Sequence, residues 1–398
     1  MFDFHIKTKI IQDMINTNTL RETFHKYFPG QEPRIFAAPG RINIIGEHTD
    51  YNGGFVLPAA IDKALSIAIC PNGTGKVHLV AIDRDFEKAD FVIGGEQPAE
   101  QWASYFYGVV EEMKARGACP GGFNAVCGGD VPLGAGMSSS AALESAVGTA
   151  LNTIFNLGFD KATLAKIGQM TEHHYIGVRC GIMDQFASIF GQAGHVVKLD
   201  CRSLEYELVP FNPKGIRVVL IDTMVKHVLA SSQYNVRREQ CEAGVKVISK
   251  YKKGVELLRD VTIEELEAHR DELDPVSFRR CAFVINENKR LYAACAALEK
   301  NDFEEVGRQI YAAHEGLSKE YEVSCEELDF IVGIARTHQG VYGARMMGGG
   351  FGGCVIALVK EEAADAYIAD VKAQYKVKFN KDPRVIEVEI SDGAREIK

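Results

Sequence analysis

Three short segments of this 398-residue chain concentrate groups that could do chemistry. One is Gly134-Ala135-Gly136-Met137-Ser138-Ser139-Ser140, a flexible turn ending in three serines, each a good helix N-cap. Leu143, Ala146, Val147, Ala150 and Leu151 then recur with a helical period. Such a turn aims free backbone N–H groups and the positive end of a helix dipole at one point, which suits a phosphate chain. The serine hydroxyls add donors for phosphate oxygens, or a ligand for Mg²⁺, which keeps several waters and needs few protein ligands.

The second segment, Pro39 to Gly54, presents Arg41, Asn43, Glu47, His48, Asp50, Tyr51 and Asn52 between glycines, with only Ile42, Ile44 and Ile45 reading as core. A short strand from Arg41 to Ile45 entering a turn at Gly46 exposes that polar set at a strand end. Carboxylates, an imidazole and amides are what a polyhydroxylated ligand needs, because each sugar hydroxyl both donates and accepts. The third segment, Met346-Met347-Gly348-Gly349-Gly350-Phe351-Gly352-Gly353, precedes the apolar run Cys354–Val359. Its glycines satisfy G-x-G-x-x-G, but they lead into a strand, whereas the dinucleotide fingerprint follows one. They read instead as backbone that must approach another surface closely.

Together these segments resemble the GHMP small-molecule kinases and, within them, the galactokinase branch. They look like that branch's signature, the family's phosphate-binding loop and its C-terminal glycine motif. Further matches are Glu172-His173-His174, Gly181 to Phe186 and Ser231 to Arg238, so the resemblance runs in order through nearly the whole chain. It implies an α+β, two-domain GHMP kinase fold, with mixed β-sheets covered by helices and the active site in the cleft between domains. It implies ATP-dependent phosphorylation of galactose at its C1 hydroxyl. In that reading Gly134, Ala135, Gly136, Met137, Ser138, Ser139 and Ser140 wrap the ATP phosphates, and Ser140 and Glu172 hold Mg²⁺. Asp184 is the general base or orienter of the anomeric hydroxyl, with Arg41 beside it offsetting transition-state charge. Glu47, His48, Thr49, Asp50, Gly181 and Tyr234 bind the sugar, Asp50 reading the axial C4 hydroxyl. Met224 and Met347 depart from the common pattern, where asparagine and often threonine stand.

The elements that must position these groups follow from periodicity and turn signals. An amphipathic helix is expected over 7–28, broken by Pro29-Gly30, then short strands and turns over 34–93. A helix over 103–115, a strand from Phe123 to Cys127 feeding the serine turn, a helix capped by Asp160 and a short helix from Met183 come next. Ile216 to Ile221 is a buried strand, followed by helices from about 235 to 335 and a final sheet containing 354–359 and 385–390. Domains are expected at 1–209, with the sugar signature and phosphate loop, and 210–398, an α/β unit with the glycine motif.

Composition is globular, 46% hydrophobic and 25% charged, and a net charge of −9 without a basic run argues against a nucleic-acid partner. Ten scattered cysteines and no apolar leader point to reduced thiols in the cytoplasm, with no membrane association and no obligate protein partner. Three look-alikes fail. Gly75-Lys76 lacks the rest of a P-loop, and His269-Arg270-Asp271 has Val276 where a kinase asparagine belongs. His173-His174 with Cys180 lacks a fourth zinc ligand. Two alternatives stand: a related GHMP sugar kinase acting on N-acetylgalactosamine, galacturonate or L-arabinose, and a non-catalytic galactose and ATP sensor.

Overall fold

The structure, a computed structural model, describes residues 16–211, 214–226 and 230–398. Its first helix, α1 (Thr17–Tyr27), starts where the Asn16 side chain accepts from the Thr19 amide; residues 7–15 of the expected helix lie outside the described part. There follow β1 (Arg34–Asn43), β2 (Phe55–Val56), β3 (Pro58–Pro71), β4 (Lys76–Ala81), β5 (Glu87–Val92), α2 (Ala103–Ala115) and β6 (Phe123–Gly129). Then come α3 (Ser139–Ile154), α4 (Lys161–Thr171), α5 (Met183–Phe190), β7 (His195–Asp200), β8 (Tyr206–Pro210) and β9 (Ile216–Lys226). The helices α6 (Ala230–Ile248), α7 (Ile263–Ala268), α8 (Pro275–Leu298), α9 (Phe303–Glu315) and α10 (Glu326–Thr337) lead to β10 (Val341–Met346) and β11 (Gly352–Lys360). The chain ends with α11 (Glu361–Phe379), β12 (Arg384–Glu387) and β13 (Arg395–Ile397). As expected, Asp160 caps α4, its side chain accepting from the Thr163 amide.

Three sheets form among the described residues, ordered β13-β1-β3-β6-β4-β5, β10-β11-β9-β12 and β2-β7-β8. The first is mixed, its β4–β6 pair being parallel and the others antiparallel. We keep the 209/210 division as a proposal for the chain up to Glu387. The last strand does not follow it: β13 pairs with β1 and completes the first sheet, fastened by a bidentate Arg34–Glu396 pair.

The second sheet is covered on both faces, which explains the unbroken apolar run in β11. Cys354, Ile356 and Leu358 enter the core shared with the first sheet, while Val355, Ala357 and Val359 belong to a second core with Phe278 of α8, Leu328 and Ile331 of α10 and Tyr367 of α11. Full burial of each valine, leucine or isoleucine contributes about 1.5–3 kcal/mol. None of the described helices is long and apolar enough to cross a membrane.

At the seam, the end of β1 meets the end of β10. Arg345, fully buried, donates through Nε to the Ile44 carbonyl at 2.8 Å and through Nη1 to Glu47 Oε1 at 3.0 Å. It also reaches the carbonyls of Met346 and Asn43. Glu47 is buried too, so removing Arg345 strands a carboxylate and several carbonyls away from water. We predict that Arg345→Met lowers unfolding free energy by about 3–5 kcal/mol, read as an earlier urea midpoint, and that adding Glu47→Leu recovers part of the loss. A midpoint unchanged from wild type would show that the seam is held elsewhere.

Candidate active site

The serine turn is pressed between β1 and the glycine segment. Gly134 and Gly136 have φ of 74° and 75°, and Ser138 itself is left-handed at 57°. The Arg41 amide donates to the Met137 carbonyl at 3.2 Å, where β1 bulges between Pro39 and Arg41. A Cβ at Gly40 would stand 2.7 Å from the Met137 carbonyl oxygen, so a larger residue there would push the loop away. On the other side a Cβ at Gly136 would meet the Met347 carbonyl at 3.0 Å, and one at Gly348 the Gly136 carbonyl at 3.2 Å. The glycine segment thus makes the close approach its composition implied.

The turn opens directly into α3, whose N-terminus has no side-chain cap. Ser138 turns its hydroxyl to Asp184 Oδ2. Asp184, in the first turn of α5, takes Arg41 Nε on its other oxygen at 2.8 Å, and Arg41 Nη1 donates to the Gly136 carbonyl. The Arg41 side chain is 4% exposed and that of Asp184 32%, so the carboxylate faces the opening while its cation is held behind it. Glu172 ends α4 and is buried; burial pushes its carboxyl up to about 7, partly offset by a hydrogen bond from Ser140. Among the described residues no salt bridge balances Glu172 beside that hydroxyl, and a carboxylate–hydroxyl pair next to a phosphate cradle fits Mg²⁺, which takes its remaining ligands from water and phosphate.

Facing this triad across a cavity of about 450 Å³ stand Glu47, His48, Asp50, Gly181, Tyr234, Gly348 and Gly349. Burial, then the Asp184 carboxylate, pushes Asp50 up to about 7 against the lowering effect of amide donors from Tyr51 and Met183. Gly181 is required by contact, since a Cβ there would overlap the Asp50 carboxyl at 2.0 Å. His48 has a left-handed backbone at φ 63° and bonds Tyr51 Oη at 2.9 Å, which in turn bonds Tyr321 Oη at 2.7 Å. Burial, and then Arg237, push its pKa down to about 3, so the imidazole is neutral. Tyr234 packs on His48 and Tyr51 with ring centroids 5.3 and 5.2 Å apart. Glu47 Oε1 accepts from Arg345 and from the Gly348 amide at 2.8 Å, which leaves Oε2 for a ligand.

Two residues grouped with the site by sequence do not line the cavity. The Thr49 hydroxyl donates to the Gly46 carbonyl at 2.9 Å and also bonds the Phe55 carbonyl, so it builds the turn. Ala135 is buried beneath the loop. Conversely, Gln101 and Tyr105 reach the cavity from α2 and its approach, and Arg345 anchors Glu47 from behind. A lone arginine inside the β10 stretch Val341–Met346, next to the glycine segment, was the available signal for Arg345. Met224, where the family usually has asparagine, has φ of 57°. Asparagine adopts that conformation more readily than methionine, which accounts for its usual presence.

Comparison with known proteins gives the family. Residues 22–71 match the galactokinase galactose-binding signature, 104–192 the GHMP kinases N-terminal domain and 294–377 the GHMP kinases C-terminal domain. A galactokinase of Roseiflexus sp. (strain RS-1) is 38% identical over 380 residues, spanning 96% of this chain and 97% of that protein. The crystal structure of Lactococcus lactis galactokinase complexed with galactose superposes with a TM-score of 0.92 at 33% identity, covering 96% of this chain and 99% of that one. Methanococcus jannaschii mevalonate kinase shares the fold at a TM-score of 0.64 and 18% identity, over 92% of this chain and all of that one. With an arginine–aspartate pair under a serine turn, a polar pocket opposite, and this likeness over nearly its whole length, the chain belongs to the galactokinase family of GHMP kinases.

Proposed function

We propose that this protein transfers the γ-phosphoryl group of ATP to the C1 hydroxyl of D-galactose, giving α-D-galactose 1-phosphate and ADP. The observation that carries the reading is Asp184. It is held between Arg41 and Ser138 at the foot of the phosphate loop and opens toward the pocket of Glu47, His48 and Asp50. Its relatives' substrate and the galactose-binding signature support the choice of sugar.

Phosphoryl transfer leaves the protein little covalent work; it must align the acceptor and offset spreading negative charge. Each Asp184 oxygen has lone pairs beyond those used by Arg41 and Ser138, so it can accept the proton of the anomeric hydroxyl as that oxygen attacks phosphorus. Arg41 sets its positive charge against that carboxylate and turns its remaining donors to the phosphoryl oxygens. Ser140 and Glu172 would hold Mg²⁺, which when bound neutralises charge on the β- and γ-phosphates. The backbone from Gly134 to Ser140 and the uncapped start of α3 receive the phosphate chain.

Removing the charge of Asp184 with Asp184→Asn keeps its size and is expected to lower kcat about 10²–10⁴-fold while galactose binding persists. Turnover within a few-fold of wild type would move the base elsewhere. If Ser140 and Glu172 share one cation, Ser140→Ala and Glu172→Gln each raise the Mg²⁺ requirement and their combination is less than additive. Full additivity with unchanged metal dependence would separate them.

The choice of sugar is tested by a panel with ATP and Mg²⁺, read as ADP release: galactose is expected to turn over, glucose and N-acetylgalactosamine poorly. Against the equatorial C4 hydroxyl of glucose, Asp50 is left unpaired, at a cost of about 1–3 kcal/mol. Asp50→Ala should therefore shrink the galactose-to-glucose ratio. Because the raised pKa leaves Asp50 largely protonated below neutrality, the accepting carboxylate gains population as pH rises. Galactose affinity, measured without nucleotide, should tighten from about pH 6 to about pH 8, and Asp50→Asn should flatten that slope. Equal use of N-acetylgalactosamine would favour the related sugar kinase, and the absence of ADP release with every sugar would leave only the sensor.

A further inference from the structure

Ser140, Glu172 and Asp184 stand on three different helices: in the first turn of α3, at the end of α4 and in the first turn of α5. One side chain that the reaction does not use, Glu144, joins all three. It lies one turn beyond Ser140 on α3 and is buried. Its Oε2 accepts from the side-chain amide of Gln185, the neighbour of Asp184, at 3.0 Å. It also lies against Gly168, one turn before Glu172 on α4. A Cβ at Gly168 would stand 2.8 Å from Gln185 Cγ and 3.1 Å from Glu144 Oε2, so α4 can come this close only because it carries no side chain there.

Neither Glu144 Oε1 nor the Gln185 amide oxygen has a hydrogen-bond partner among the described residues. Burial, reinforced by Glu172 and Asp184, pushes the Glu144 carboxyl well up, which suits a neutral acid that bonds without adding charge to a site already rich in carboxylates.

We propose that Glu144 is a positioning residue for phosphoryl transfer, fixing α4 and α5 against α3 so that Glu172, Asp184 and Ser140 keep their mutual distances. The proposal rests on the reading that those three act together. A displacement near 1 Å of groups so aligned costs about 100-fold in rate.

The test measures kcat and the galactose KM of Glu144→Ala and Glu144→Gln. The alanine variant is expected to lose about 100-fold in kcat with KM little changed, because Glu47, Asp50 and Tyr234 stand on other elements. The glutamine variant, whose amide can still pair with Gln185, is expected to restore most of kcat. A wild-type kcat in Glu144→Ala would overturn the proposal. So would Glu144→Gln losing as much as the alanine variant together with a raised Mg²⁺ requirement, which would mean an ionised carboxylate at work. If Glu144→Ala does not fold, Gly168→Ala presses on the same junction from α4; a similar fall in kcat supports the role and a wild-type kcat overturns it. A wild type inactive on every sugar would remove the proposed function itself, whereas an active wild type with unaffected variants would remove only the role of Glu144.

Discussion

The guanidinium of Arg345 sits where the two larger sheets meet, and the arrangement of the site depends on it. One face of that contact is structural: three backbone carbonyls, from Asn43, Ile44 and Met346, are satisfied without water. The other face reaches the candidate pocket, because the same group bonds one oxygen of Glu47 while the Gly348 amide holds that oxygen from a second side. A carboxylate buried this way needs a partner that cannot leave, and arginine, always charged and with donors in a fixed fork, is such a partner. Where β10 ends, the glycine segment begins, and its approach to Gly136 places the phosphate loop at a set distance from the sugar pocket.

A second arginine does the corresponding work at the reaction centre. Arg41 bonds Asp184 and the loop at Gly136, so the proposed base and the serine turn are tied together. The remaining carboxyls are kept apart by environment. Asp184 is salt-bridged to Arg41, whereas among the described residues Asp50 and Glu172 form no salt bridge, and burial pushes both up to about 7. A free protein in that condition holds protons on those groups more tightly than its unfolded chain does. Their contribution to stability therefore falls as pH climbs from the unfolded carboxyl range through about 7. Ligands that accept, donate to or neutralise them relieve that tension.

Much of the fold was legible because local signals agreed with the tertiary result. Ile216 to Ile221 is apolar at most positions and became the first half of β9, packed against cores on both faces; Asp160 capped the helix it preceded. The serine turn, the glycine segment and the polar run after Pro39 stood out because no core or ordinary loop needs them. What stayed hidden depends on partners distant in sequence. Nothing near Arg345 says that β1 will end against it, and nothing near residues 395–397 says that they will return to the first sheet. Thr49 looked like its neighbours, yet its hydroxyl turns to two carbonyls of its own loop. Gly181 gave no local reason for being glycine; the reason is the carboxyl of Asp50.

The proposed function requires one alignment: the anomeric hydroxyl at Asp184, the C4 hydroxyl at Asp50 and the phosphate chain along Gly134 to Ser140. A crystal structure with galactose, Mg²⁺ and a non-hydrolysable ATP analogue tests all three at once. The predicted result has the C1 oxygen within hydrogen-bonding distance of the Asp184 carboxylate, the C4 hydroxyl on Asp50 and the terminal phosphate between Arg41 and the start of α3. A sugar bound with its C6 end toward Asp184, or a nucleotide lying outside the serine turn, would contradict it.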